Sequence, residues 1–118
     1  MADRGAKLSR LLPGDIFHAE CPSGASLICL VEAITDGRIE ARRVTTQDHV
    51  TFELSTGLSL PDDGKARCLI DSIAPLPVDI HNIMLGLDRK MRLRFEKPDR
   101  AEKDALLFVA DFYPAHPL

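Results

Sequence analysis

The stretch Leu27–Val44, LICLVEAITDGRIEARRV, carries the clearest structural pattern of this chain, because two strand-like runs flank Asp36-Gly37. Asp-Gly favours a two-residue type I′ turn, in which both central residues have positive φ. The first run, Leu27–Val31, is apolar without alternation, which is typical of a strand covered on both faces. The second run, Arg38–Arg42, alternates polar and apolar residues. We therefore expect a β-hairpin whose first arm is central in a sheet.

The segments around this hairpin also consist of short strand-like runs and turns. Such runs occur at Asp15–Glu20, Val50–Leu54 and Ala66–Ala74, and prolines end the last one because proline cannot donate to a strand ladder. About five short strands between residues 14 and 76 predict a small antiparallel barrel or roll. The long first loop, the tight hairpin and the proline-terminated last strand resemble the SH3-like barrel layout. This resemblance concerns architecture and implies no functional residues.

The carboxyl-terminal third changes to helical periodicity. Asp79 is a candidate N-cap, and the apolar residues that follow it recur at helical spacing, namely Ile80, Ile83, Met84, Leu87 and Met91. Met91–Glu96 fits either a helix or a strand, and we favour the helix. Pro98-Asp99 predicts a second helix with proline in its first turn, while Leu106–Phe112 fits that helix or a buried strand. The predicted class is α+β, with two helices packed on the barrel.

Length and composition predict a single domain, and the amino end indicates its compartment. The chain has 118 residues, of which 45% are hydrophobic, and this suffices for a single core. We expect a loose lead-in at residues 1–13, the barrel at 14–76 and a helical extension at 77–118. The amino end has no apolar run typical of a secretory or membrane segment, so we expect a cytoplasmic protein. In that compartment the three cysteines are expected to be reduced thiols.

The charge balance bears on nucleic-acid binding. The net charge is -3, whereas a duplex-binding domain is usually basic, so we do not expect a nucleic-acid partner. The basic residues that are candidates for binding a phosphate or an acidic partner are Arg42, Arg43, Arg89, Arg92 and Arg94. Cations near the end of a helix also complement its dipole, which is the interpretation we favour for the last three.

One pair of motifs resembles a nucleotide-binding family. Arg38–Arg42, RIEAR, followed by Glu53–Gly57, ELSTG, resembles the Arg-x-x-x-Arg and Asp/Asn-x-Ser-x-x-Gly elements of PilZ domains. This resemblance implies binding of cyclic di-GMP. The second element begins with Glu and is one residue short before its Gly, and the first lies in the predicted hairpin. These three departures disfavour a nucleotide site here.

Catalytic and metal-binding candidates are few. His18 and Cys21 have the spacing of one zinc-ligand pair, but the sequence contains no second pair, and a strand directs the two side chains to opposite faces. Asp15 and His81 complete the weak catalytic candidates, as acid or base groups in a cleft between the barrel and its first helix. We expect no metal and no cofactor, and we lean against an enzyme.

These observations favour a non-catalytic module that binds a protein partner or self-associates. The tail Leu106–Leu118 is more apolar than a domain of this size easily buries, and self-association would cover it. The alternatives are a small enzyme with an acid/base site beside the first helix, and a phosphate- or nucleic-acid-binding barrel that uses the basic residues. The sequence leaves the biological role, the ligand or partner, the oligomeric state and the redox state of the cysteines open.

Overall fold

The computed structural model describes residues 4–60, 67–93 and 97–118. The elements in these ranges follow one another as a short helix, six strands and two further helices. They are α1 (Arg4–Leu8), β1 (Ile16–Glu20), β2 (Ser26–Thr35), β3 (Arg38–Arg43), β4 (His49–Glu53), β5 (Ser59–Leu60), β6 (Leu69–Ser72), α2 (Val78–Leu93) and α3 (Arg100–Phe112). The predicted α+β class, an antiparallel sheet followed by two carboxyl-terminal helices, is confirmed.

The strands form one antiparallel sheet in the order β5-β4-β3-β2-β1-β6, which curls into a half-barrel. A bridge between Leu58 and Leu69 ties its two edges together at one end. The prediction of about five strands omitted β5, which has only two residues. The SH3-like layout is not confirmed, and the structure supports the broader description of a curled sheet.

The hairpin prediction is confirmed in its details. Asp36 and Gly37 have φ values of 51° and 76°, and Thr35 pairs with Arg38, as a two-residue type I′ turn requires. Strand β2 lies between β1 and β3 and is central, as its continuous apolar run indicated. The register between β2 and β3 shifts between Val31 and Ala33, so Glu32 lies at a bulge in β2.

The concave side of the sheet encloses one hydrophobic cluster. Its buried residues are Leu8, Leu11, Phe17, Ala19, Leu27, Cys29, Val31, Ile39, Ala41, Phe52 and Ile70. Phe17 and Phe52 meet edge to face with ring centroids 5.4 Å apart. In the described part of residues 1–13, α1 and the turn after it bury Leu8 and Leu11 in this cluster. Two apolar residues three positions apart are too short a pattern to identify such a helix.

The convex side of the sheet packs against α2 and α3 through a second cluster. Its buried residues are Ile16, Leu30, Val44, Leu76, Met84, Leu87, Ala105, Val109 and Tyr113. The Tyr113 hydroxyl donates to the carbonyl of Ile16 at 3.1 Å, which joins the end of α3 to β1. The helices therefore provide the second cover that the central strand needs.

The helix boundaries correct several predictions. Helix α2 begins at Val78, so Asp79 lies in its first turn and is not the N-cap. Asp99 is the N-cap of α3 and forms a capping box with Glu102, which places Pro98 before the helix. Helix α2 continues to Leu93, while residues 94–96 lie outside the described residues, and Leu106–Phe112 belongs to α3.

Candidate functional site

The buried His18 pairs with the partly exposed Asp71 on the convex side of the sheet. Strand β6 pairs with β1 in a register that shifts between His18 and Ala19, and this brings the His18 Nδ1 atom to 2.5 Å from Asp71 Oδ1. His18 is only 6% exposed. Because an ionised carboxylate only accepts hydrogen bonds, Nδ1 carries the proton in the neutral ring, and Nε2 is an acceptor.

This pair lies in a cleft between the sheet and the carboxyl-terminal end of α3. The cleft has a volume of about 370 Å³, within the usual range of small-molecule sites. The ring centroids of His18 and Tyr113 are 5.5 Å apart. The lining residues are His18, Glu20, Ser26, Ile28, Asp71, Ala110, Tyr113, Pro114 and Pro117. The sequence indicates His18 as a candidate but not Asp71, because their pairing depends on a register that no local pattern encodes.

Cys21 and Cys68 are joined in a disulfide, which corrects the expectation of three reduced thiols. Cys21 packs against the concave cluster, while His18 faces the helices, so the two diverge as strand geometry predicted. Cys29 is a buried free cysteine, and burial raises the pKa of its thiol to about 12, which makes it unreactive. Because disulfides are typical of oxidising compartments, this bond counts against the expected cytoplasmic setting.

The other two catalytic candidates lie away from this pair. Asp15 lines a second cleft, of about 470 Å³, and its carboxylate accepts from the Leu12 N–H at 2.9 Å. His81 is in the first turns of α2 and lines neither of these two clefts. The candidates His18, Cys21, Asp15 and His81 therefore do not form one site in the described part of the chain. The cleft at His18 is beside α3, whereas the prediction placed it beside the first of the two carboxyl-terminal helices.

Arg42 forms an ion pair that joins β3 to α2. Its guanidinium donates two hydrogen bonds to Asp88, at 2.9 and 2.7 Å, and a third to Glu32 at 3.3 Å. Gln47 also donates to Asp88, at 2.9 Å. Burial opposes ionisation of Asp88, but the hydrogen bonds from Arg42 and Gln47 outweigh it and hold the pKa of this carboxyl below its usual value. The same contacts disfavour a cyclic di-GMP site at Arg42.

Of the other basic candidates, those in the described residues do not form one basic patch with Arg42. Arg43 is opposite Cys29 in the ladder, so it points away from Arg42 and α2. Its Nε is the one fully buried side-chain polar atom without a hydrogen bond in the described residues. Arg89 and Arg92 are exposed on α2, and Arg94 lies outside the described residues.

Helix α3 presents Leu107 to solvent on the face opposite its buried residues, and Phe108 on the flank beside the core. Leu107 is 68% exposed and Phe108 is 41% exposed, whereas Ala105 and Val109 are buried. Phe108 stacks on Phe112 at a centroid separation of 5.7 Å. The expectation that the apolar tail is not fully buried is therefore confirmed at Leu107 and Phe108.

Comparison with protein families, curated proteins and solved structures finds no match to this chain. In residues 4–60, 67–93 and 97–118, no three His, Cys, Asp or Glu side chains converge in a way that could hold a metal ion. None of the helices in these ranges has both the length and the apolar composition needed to span a bilayer. The function must therefore be inferred from the geometry of this chain alone.

Proposed function

We propose that this protein is a non-catalytic interaction module that self-associates through the outer face of α3. The observation that carries this proposal is the exposure of Leu107 in the middle of that face, with Phe108 also exposed on the neighbouring flank of the helix. Apolar side chains exposed close together mark interaction surfaces more often than isolated ones do. A second copy of the chain is the partner that we favour.

The charges around Leu107 fit an antiparallel pair of α3 helices. Lys103 precedes Leu107 by four residues and Asp111 follows it by four, so all three lie on one helix face. Both charged residues are exposed, and neither has an ion-pair partner in the described residues. A two-fold axis at Leu107 would place Lys103 of each copy opposite Asp111 of the other. The face is therefore complementary to itself.

The test is the mass of the purified full chain at micromolar concentrations, measured by light scattering after size exclusion. We expect a dimer for the unchanged chain and a monomer for Leu107→Glu. Because Leu107 is 68% exposed, this variant should change the free energy of unfolding by no more than about 0.5 kcal/mol. Leu12→Glu is the matched control, since Leu12 is 64% exposed and lies outside α3; this variant should remain dimeric.

A charge exchange tests the antiparallel geometry separately. Lys103→Glu and Asp111→Lys should each weaken the dimer, because each places like charges opposite one another. The double variant restores opposite charges and should recover the dimer. A monomeric mass for the unchanged chain would refute self-association, and a double variant weaker than either single variant would refute this pairing.

A further inference from the structure

We propose that the cleft at His18 and Asp71 binds a small organic cation, namely a primary ammonium group attached to an apolar body. This site is separate from the apolar face of α3 and does not depend on self-association. It rests on the hydrogen-bonding chemistry of the cleft, on the accessibility of one ring nitrogen and on the apolar residues of the cleft lining.

The polar groups of the cleft are mainly acceptors. Glu20 and Asp71 contribute carboxylates, and the Glu20 carboxylate has no partner in the described residues. No Lys or Arg side chain is among the described residues that line the cleft. The Tyr113 hydroxyl already donates to the Ile16 carbonyl, so it is not a donor for a ligand. A ligand that matches these groups must bring donors and positive charge.

When the His18 ring is neutral, its Nε2 atom is a further acceptor in this cleft. Its ring is nearly buried, and its Nδ1 atom is held by Asp71. Nε2 has no hydrogen-bond partner among the described residues. In those residues, Arg43 Nε is the only fully buried side-chain polar atom without a partner, so Nε2 is not fully buried. Nε2 therefore reaches accessible space, and His18 lines this cleft. One ammonium group has three donors, enough to contact Nε2 and a carboxylate together.

The rest of the cleft lining fits an apolar body. Ile28, the cross-strand neighbour of His18, lines it together with Ala110, Pro114 and Pro117, and the nearly buried Tyr113 ring adjoins them. Aromatic rings attract ammonium groups and also pack against hydrocarbon. Apolar walls with a few convergent polar groups are the usual composition of small-molecule sites.

The experiment follows the ring nitrogens of His18 and the ring of Tyr113 by NMR while phenethylamine is added to the full chain. We expect saturable shifts of both residues with phenethylamine. Phenethyl alcohol has the same apolar body without the charge, and hydrocinnamate has the opposite charge. Both compounds should bind more weakly than the amine, and hydrocinnamate should give no saturable shift.

Variants then assign the charge recognition to this cleft. Glu20→Gln removes one carboxylate from an exposed position and should weaken amine binding about three-fold, the scale of an exposed ion pair. Glu40→Gln changes the net charge equally on β3, outside the cleft lining, and should leave binding unchanged. The proposal is overturned if phenethylamine does not shift His18, if the alcohol binds as tightly as the amine, or if the two variants weaken binding equally.

Discussion

Asp88 shows how one buried charge holds two layers of this molecule together. It is 3% exposed and belongs to α2, yet its partners Arg42 and Gln47 come from β3 and the loop after it. Removing Asp88 leaves the Arg42 guanidinium with only its longer contact to Glu32. We expect Asp88→Ala to lower the free energy of unfolding by about 1.5 to 3 kcal/mol, measured by urea denaturation at neutral pH.

The pH dependence of this loss distinguishes lost charge pairing from lost packing. The folded-state pKa of Asp88 lies below its ordinary value, so the unfolded chain takes up the proton first as the pH falls. The contribution is complete above about pH 4, near the unfolded pKa, and disappears as the pH falls through the lower folded pKa. The difference between the unchanged chain and Asp88→Ala should therefore shrink in acid. A difference that is constant with pH would contradict the assigned role of the charge.

Individual residues were identified from the sequence when local chemistry sets their role. Asp36 and Gly37 have positive φ because their own turn requires it, and the sequence reveals this directly. Arg42 is a ligand-binding candidate in the sequence because its partner Asp88 is 46 positions away in the chain. Asp71 was missed as the partner of His18 for the same reason, with 53 positions between them.

The same substitution of glycine by alanine should have opposite effects on stability in the hairpin and in α2. Gly37 has φ +76, where a side chain is strained, whereas Gly86 lies inside α2 with open space at its Cβ position. Gly37→Ala should lower the free energy of unfolding by about 1 to 2 kcal/mol. Gly86→Ala should raise it by up to about 1 kcal/mol, because alanine favours helix. Thermal unfolding of both variants measures this, and a Gly37→Ala variant as stable as the unchanged chain would contradict the turn assignment.

Helices and strands could be predicted from hydrophobic periodicity when they were long enough to repeat the pattern. The 16 residues of α2 repeat their apolar positions several times, and β2 is a continuous apolar run of recognisable length. Helix α1 has five residues and β5 has two, so neither completes a diagnostic period. Their positions depend on the rest of the sheet, to which Leu8 and the Leu58 bridge attach them.

At the scale of the whole molecule, the sequence predicted the sheet and the helices that cover it, but not the contacts that join distant segments of the chain. Covered β2 and an amphipathic α2 were enough to predict helices on one side of a curled sheet. The closing contacts join distant segments: Tyr113 reaches Ile16, and the N–H of Leu118 donates to the carbonyl of Asp71 at 2.9 Å. The second cleft and the cleft at His18 both lie beside these carboxyl-terminal residues, since Pro117 lines both.

The Cys21–Cys68 disulfide is the covalent tie of this kind, between the residue after β1 and the residue before β6. It spans 47 positions, and closing a loop of this length in the unfolded chain corresponds to about 4 kcal/mol in the chain-entropy model. We expect reductant to lower the free energy of unfolding of the unchanged chain by about 2 to 4 kcal/mol. The double variant Cys21→Ser with Cys68→Ser should match the reduced chain and show no further response to reductant. Equal stability of the unchanged chain with and without reductant would mean that these thiols are free, as the sequence alone indicated.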